Sequence, residues 1–140
     1  MKRTATAAWT GGLKDGKGMI TTQSGILSDT RYGFTTRFEN EPGTNPEELI
    51  AAAHAGCFTM ALSAQLGEAG ITAERLTTTA AVTLDKSGDG FAITAIHLDL
   101  VAKIPGVDRQ AFENAANKAK EGCPISKVLN ANITLSTKLE

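Results

Sequence analysis

Residues 45–67 read NPEELIAAAHAGCFTMALSAQLG, the longest stretch of uniform character in the 140-residue chain. Asn45 can cap a helix, because its side chain accepts from the first free N–H groups. Pro46 follows at the first helical position, where its missing N–H costs nothing. Glu47 and Glu48 place negative charge in the first turn, where the helix dipole favours it. Strong helix formers run on from Leu49, and Gly67 marks the stop. Apolar residues occupy nearly every face, which predicts a helix buried all round. His54, Ser63, Gln65 and the clear cap argue against a membrane span. Near the middle sits Cys57, one of only two cysteines.

Before this helix the chain reads as short strands. Thr4–Trp9 is a candidate edge strand, and Gly18–Gln23 a second one. Gly11, Gly12, Asp15 and Gly16 mark the turn between them. Ser24–Arg31 reads as a loop or a brief strand. Gly33–Glu39 alternates, with Phe34, Thr36 and Phe38 on one face, and is expected to be a strand. After the helix, Leu76, Thr78, Ala80, Val82 and Leu84 recur at period two. Asp85–Gly90 is a hairpin connection, and Phe91–Ile104 a long partner strand. Asp108 can cap a second helix that ends near Glu121, with Gly122 as its stop. Cys123–Leu129 reads as a short helical turn, and Ile133–Leu139 as a last strand. Strands joined by hairpins predict an α+β class with a largely antiparallel sheet. No repeat or linker divides the chain, so one domain over residues 1–140 is expected.

Composition narrows the function. A net charge of −1 gives no basic footprint for nucleic acid. The amino-terminus has basic residues but no apolar run behind them, so no secretory signal is read. No segment is expected to span a bilayer. Two cysteines in a chain of this kind suit free thiols or a redox pair, and a cytoplasmic setting, more than a structural framework.

The thiols carry the chemistry. Cys57 can be a small core hydrophobe or a reactive group. Cys123 stands directly before Pro124 at a helix start, where free N–H groups lower a thiol pKa. A thiol pair can run a redox cycle, one sulfur becoming a sulfenic acid and the other condensing with it. A zinc site would need four ligands with a close Cys pair, which Cys57, Cys123, His54 and His97 do not supply. His54 lies three residues before Cys57 on the same side of the helix. It can form a Cys–His couple, but a packed or hydrogen-bonded histidine is the simpler reading. His97 reads as the polar face of its strand. Arg37 and Glu47 can be solvated charges, or a pair that holds a guanidinium over a thiolate.

Three segments together resemble the osmotically inducible protein C and organic hydroperoxide resistance family. They are TNPEELIAAAHAGCFTMALS (Thr44–Ser63), Gly122-Cys123-Pro124-Ile125-Ser126, and YGFTTRFE (Tyr32–Glu39), the last similar to the osmotically inducible branch. The resemblance implies an OsmC-like fold: largely antiparallel sheets around a long buried central helix, in an intertwined homodimer. It implies a thiol peroxidase that reduces organic hydroperoxides without metal, haem or other cofactor. Cys57 would be the peroxidatic cysteine and Cys123 the resolving one. Arg37 and Glu47 would be the activating pair, and a dithiol such as dihydrolipoyl groups the reductant. A thiol sensor or hydrophobic-ligand module using the same pocket is the alternative, and an inert structural protein a third.

Spacing adds its own argument for a dimer. Glu47 and Cys57 are ten residues apart, roughly 15 Å along a straight helix. One helix alone cannot bring that carboxylate to that sulfur. The small run Ala51-Ala52-Ala53 with Ala55-Gly56 would let a second copy of the helix cross nearby. Leu49, Ile50, Phe58 and Met60 are expected to give the thiol an apolar pocket, which favours alkyl or aryl hydroperoxides.

Overall fold

The computed structural model describes every residue from Met1 to Glu140, and these group into two compact units, Met1–Leu49 and Ile50–Glu140. The first unit opens with an antiparallel sheet of β1 (Ala5–Thr10), β2 (Lys17–Thr22) and β3 (Thr30–Tyr32), in that order. Gly18 sits under the rings of Trp9 and Tyr32. A Cβ there would fall 2.4 Å from Tyr32 and 2.7 Å from Trp9. The missing side chain is what lets those rings approach to a centroid distance of 5.6 Å.

Residues Phe34–Phe38 form a short helix, α1, where alternation predicted a strand. The ambiguity is geometric: Phe34 and Phe38 are four residues apart, which fits one face of a strand and one face of a helix. Thr36 decides it. Its hydroxyl accepts from Gly33 N–H at 2.8 Å and donates to the Thr44 carbonyl at 2.7 Å, folding the segment back on itself. Gly43 makes the return. It has φ 145°, and a Cβ there would meet the Arg31 carbonyl oxygen at 2.6 Å.

α2 spans Pro46–Glu68, within a residue of the expected bounds. The Asn45 cap forms as read: its Oδ1 accepts from Glu48 N–H at 2.8 Å. Within α2 the buried residues are His54, Phe58, Leu62 and Leu66, one stripe at four-residue spacing. Ala52, Ala53, Gly56 and Met60 are exposed on the chain, so the expectation of burial all round is not met within one copy. The expectation that no segment reaches a membrane span in length and hydropathy is also corrected. α2 has 23 residues and a mean hydropathy of 1.4 over its most apolar 18. Its buried stripe is nevertheless spent on a core.

That core belongs to the second unit. β4 (Arg75–Ser87) and β5 (Gly90–Lys103) form a long antiparallel hairpin with a register shift between Thr83 and Leu84. Ile96, Leu98, Leu100 and Ala102 alternate inward and are fully buried, as period two requires. β6 (Asn132–Leu139) joins the far side of β5 in parallel, with Ile96 opposite Ile133 and Leu98 opposite Leu135. The sequence-based expectation of hairpin joins missed this pairing. A parallel neighbour needs a crossover, and α3 (Arg109–Gly122) with α4 (Pro124–Val128) provides it. α3 begins as read, with Asp108 accepting from Ala111 N–H at 2.9 Å. Phe112, Ala116 and Ala119 of α3 close over Phe58, Leu62 and Leu66 and the inner face of the sheet. Cutting Phe58 or Phe112 back to alanine would cost about 3–5 kcal/mol in such a site.

Candidate active site

The first unit holds the charged pair. Asn45 ties its two elements together: Oδ1 caps α2, and Nδ2 donates to the Thr36 carbonyl of α1 at 3.1 Å. This cross-brace sets Arg37 on α1 against Glu47 on α2. Arg37 Nε lies 3.1 Å from each carboxylate oxygen, and Nη2 is 2.6 Å from Oε1. A fork of this kind fixes the plane of the guanidinium as well as its position. The guanidinium also stacks on Phe38, 5.4 Å from the ring centre. Glu47 is largely covered, with its side chain 12% exposed, and Arg37 remains open at 36%.

Beside Arg37 lies a cavity of about 240 Å³ walled by Trp9, Leu13, Tyr32, Phe34, Phe38 and Pro46. It was not foreseen. The residues expected to line an apolar pocket lie elsewhere: Phe58 is fully buried in the core and Met60 is 77% exposed. One signal was present in the sequence. Four of the seven aromatic residues, Trp9, Tyr32, Phe34 and Phe38, fall in the first 38 positions.

The second unit holds the sulfurs. Cys57 faces out of α2 one residue before the buried Phe58. Cys123 ends α3, where its N–H donates to the Ala119 carbonyl at 3.0 Å, and it also starts α4, with Pro124 next. The two sulfurs, 66 residues apart in sequence, are 2.7 Å apart. Both thiols are free, Cys123 fully buried and Cys57 partly so.

The surroundings shift the two thiols in opposite directions. Burial pushes the Cys57 thiol up, and its hydrogen bond with Cys123 pushes it further. Burial also raises Cys123, but hydrogen bonds from Cys57, from the N–H and hydroxyl of Ser126 and from Ile125 N–H outweigh it and leave that thiol low. These are the free N–H groups of a helix start, as the sequence suggested. Within residues 50–140 Cys123 is therefore the more readily ionised of the two thiols.

His54 packs behind this pair. Its ring is completely buried and its Nε2 lies 2.7 Å from Ser126 Oγ. Burial holds its pKa below the usual 6.5. It does not couple to Cys57 as a Cys–His dyad; its bond goes to α4. His97 is exposed on the polar face of β5, as expected, 2.6 Å from Thr134 Oγ1. No group of three or more His, Cys, Asp or Glu side chains is placed to hold a metal ion. The structure thus joins Arg37 with Glu47, and Cys57 with Cys123.

Known proteins resemble this chain in sequence and fold. The sequence pattern that defines OsmC-like proteins matches residues 38–138. The chain is 56% identical over 134 residues to the peroxiredoxin OsmC of Escherichia coli (strain K12), covering 96% of this chain and 94% of that protein. It is 32% identical over 124 residues to the organic hydroperoxide resistance protein OhrB of Bacillus subtilis (strain 168), covering 88% of this chain and 89% of that one. Among solved structures, the organic hydroperoxide resistance protein of Elizabethkingia anophelis superposes with a TM-score of 0.75 at 28% identity, over 100% of this chain and 99% of the other. A sequence pattern spanning both halves of the chain, and a match to OsmC over nearly its whole length, place it: the chain belongs to the OsmC-like protein family.

Proposed function

We propose that this chain is a cysteine-based peroxidase that reduces organic hydroperoxides to alcohols in defence against oxidative stress. The contact between the two sulfurs carries the reading, because a sulfenic acid formed on one is already within reach of the other. Cys57 is the peroxidatic thiol. Its sulfur, as the thiolate, attacks the outer oxygen of R–OOH; the O–O bond breaks and R–O⁻ leaves, taking a proton to become the alcohol. Cys57 is then a sulfenic acid. Cys123 attacks that sulfur, the S–O bond breaks, water leaves, and a Cys57–Cys123 disulfide remains. A dithiol reductant, dihydrolipoyl groups being one such class, restores both thiols by exchange.

Cys57, whose thiol pKa burial raises, must give up its proton before attack. Arg37, aimed by Glu47, supplies the positive field for that transfer and for the peroxide oxygens. The active unit is a homodimer, with all 140 residues of each copy acting as one OsmC-like domain. Two observations support it. The small-residue face of α2 at Ala52, Ala53 and Gly56 is exposed, and no apolar side chain of residues 1–49 is buried in one copy. Sheets without a covered apolar face do not stand alone in water. A cytoplasmic setting suits two thiols that must be kept reduced between turnovers.

The aromatic cavity beside Arg37 favours peroxides that carry a chain or ring, at about 0.8 kcal/mol per buried methylene. Hydrogen peroxide has nothing to bury. Steady-state assays with a dithiol reductant are therefore expected to give higher catalytic efficiency on cumene hydroperoxide than on hydrogen peroxide. Equal efficiencies would overturn the substrate assignment. Sedimentation is expected to give twice the chain mass of 14.6 kDa, and a monomer at working concentration would overturn the dimer.

A further inference from the structure

The two sulfurs form a pair whose chemistry is not confined to oxidation. Both thiols are free, and they touch at 2.7 Å. Cys57 is half-buried on α2, so the pair is open on that side, while Cys123 is completely buried where α3 meets α4. No third His, Cys, Asp or Glu side chain joins them. Two soft donors without a third select soft, thiophilic centres. Structural zinc takes four protein ligands, twice what this pair supplies.

The separation of the sulfurs sorts the centres that remain. Bonds from sulfur to such a centre are about 2.3 Å long, as they are for zinc. A linear centre, as in two-coordinate silver(I) or mercury(II), would therefore hold the sulfurs about 4.6 Å apart. A bent centre that meets them near a right angle would hold them about 3.3 Å apart. From the 2.7 Å contact, the bent centre asks for roughly 0.6 Å of opening and the linear one for roughly 1.9 Å. The smaller movement lies within the play of a side-chain rotamer. The larger one needs a new rotamer at a completely buried Cys123, in an interior packed without spare room. Trivalent arsenic is a bent centre, because its lone pair closes the bond angles toward a right angle.

We infer that Cys57 and Cys123 are also a chelating site for monosubstituted trivalent arsenicals, R–As(OH)2. The arsenic forms one bond to each sulfur. Two As–O bonds break, and each departing hydroxyl takes a thiol proton and leaves as water. Nothing is oxidised or reduced. The third bond of the arsenic keeps R, which passes out by the open side of Cys57. Both sulfurs are then capped and neither can react further. The site stands on the sulfur contact and does not depend on the peroxidase reading.

Phenylarsine oxide tests it. The reduced protein is mixed with one equivalent, dialysed against excess glutathione, a monothiol, and weighed intact. The wild type is expected to carry one phenylarsenic unit per chain, with two hydrogens lost. Cys57→Ser and Cys123→Ser each leave a single arsenic–sulfur bond, which glutathione exchanges. The second bond in the wild type forms within one molecule. Its adduct should therefore survive glutathione at concentrations at least about a hundredfold above those that strip either variant. Ethanedithiol, itself a chelator of arsenic, should strip the wild type and return both thiols. An adduct that glutathione removes equally from all three proteins, or that either variant retains as the wild type does, would overturn the site. If a variant does not fold, the wild type decides: with only two cysteines in the chain, resistance to glutathione and release by ethanedithiol support the chelate, and release by glutathione refutes it. A wild type that holds phenylarsenic in this way yet consumes no hydroperoxide would overturn the peroxidase reading and uphold this one.

Discussion

Replacing Glu47 by glutamine isolates what the Arg37–Glu47 fork contributes. The amide would keep one oxygen acceptor and lose the charge. Its NH2 would then face a guanidinium N–H, donor against donor, where Glu47 now receives contacts of 3.1, 3.1 and 2.6 Å. Two consequences have different sizes. For stability, Arg37 is about a third exposed and screened by solvent, so the loss should stay near 1 kcal/mol. For catalysis, a released arginine regains rotamer freedom worth about 2 kcal/mol. At about 1.4 kcal/mol per tenfold, the held pose becomes roughly thirtyfold rarer. Catalytic efficiency on cumene hydroperoxide is therefore expected to fall about ten- to thirtyfold. Urea unfolding, run in parallel, should shift by no more than about 1 kcal/mol. If Glu47→Gln keeps its efficiency within about twofold and loses only the roughly 0.3–1 kcal/mol of a first-turn acid, the reasoning fails. Glu47 would then be a helix-end charge and nothing more.

Other perturbations follow from the same contacts. Cys123→Ser is expected to consume one equivalent of hydroperoxide and stop, with intact mass showing one added oxygen on Cys57; continued turnover without a mixed disulfide would contradict the resolving role. Thr36→Val keeps the shape but strands Gly33 N–H and the Thr44 carbonyl, and should cost about 1–3 kcal/mol in denaturant unfolding, with efficiency falling because Arg37 is the next residue. No loss of either would mean that these bonds do not hold α1. His54 should also set a pH limb on stability. Its folded pKa lies below 6.5 because of burial, so below about 6.5 the unfolded chain binds a proton that the folded chain refuses. Stability is thus expected to be flat in this respect above about 6.5. It should fall toward acid, with a slope of at most about 1.4 kcal/mol per pH unit from this group. His54→Gln should remove that component, and identical pH curves for the two proteins would refute it.

Much of this was legible in the residues themselves. Asn45 and Asp108 announced both long helices, and each makes the cap bond its position implied. Ile96, Leu98 and Leu100 showed the buried face of β5 by alternation alone. The helix at Phe34–Phe38 was not legible, because five residues hold barely more than one turn and the deciding bonds come from Thr36 to Gly33 and Thr44. The parallel β6 was hidden for a related reason: pairing across a helical crossover leaves no local mark. Arg37, Glu47, Cys57 and Cys123 were singled out as site candidates by residue type and resemblance. That the fold joins them as two pairs needed coordinates. Ser126 was quoted only as part of a turn, and nothing in a serine's neighbours reveals a partner 72 positions away. α2 misled by being apolar on all sides, since a sequence shows that a face wants cover and not whose side chains cover it.

The sulfur–sulfur contact of 2.7 Å bears on how such a protein fails under excess oxidant. A sulfenic acid has two fates: capture by a thiol, or a second collision with peroxide that makes a sulfinic acid, which ordinary thiols do not reverse. The first is a reaction between neighbours and does not depend on peroxide concentration; the second grows with it. With Cys123 already touching Cys57, capture needs no segment of chain to unfold and swing into place. The expected behaviour is a catalyst that stays active at peroxide levels where a protein with distant cysteines would be steadily inactivated.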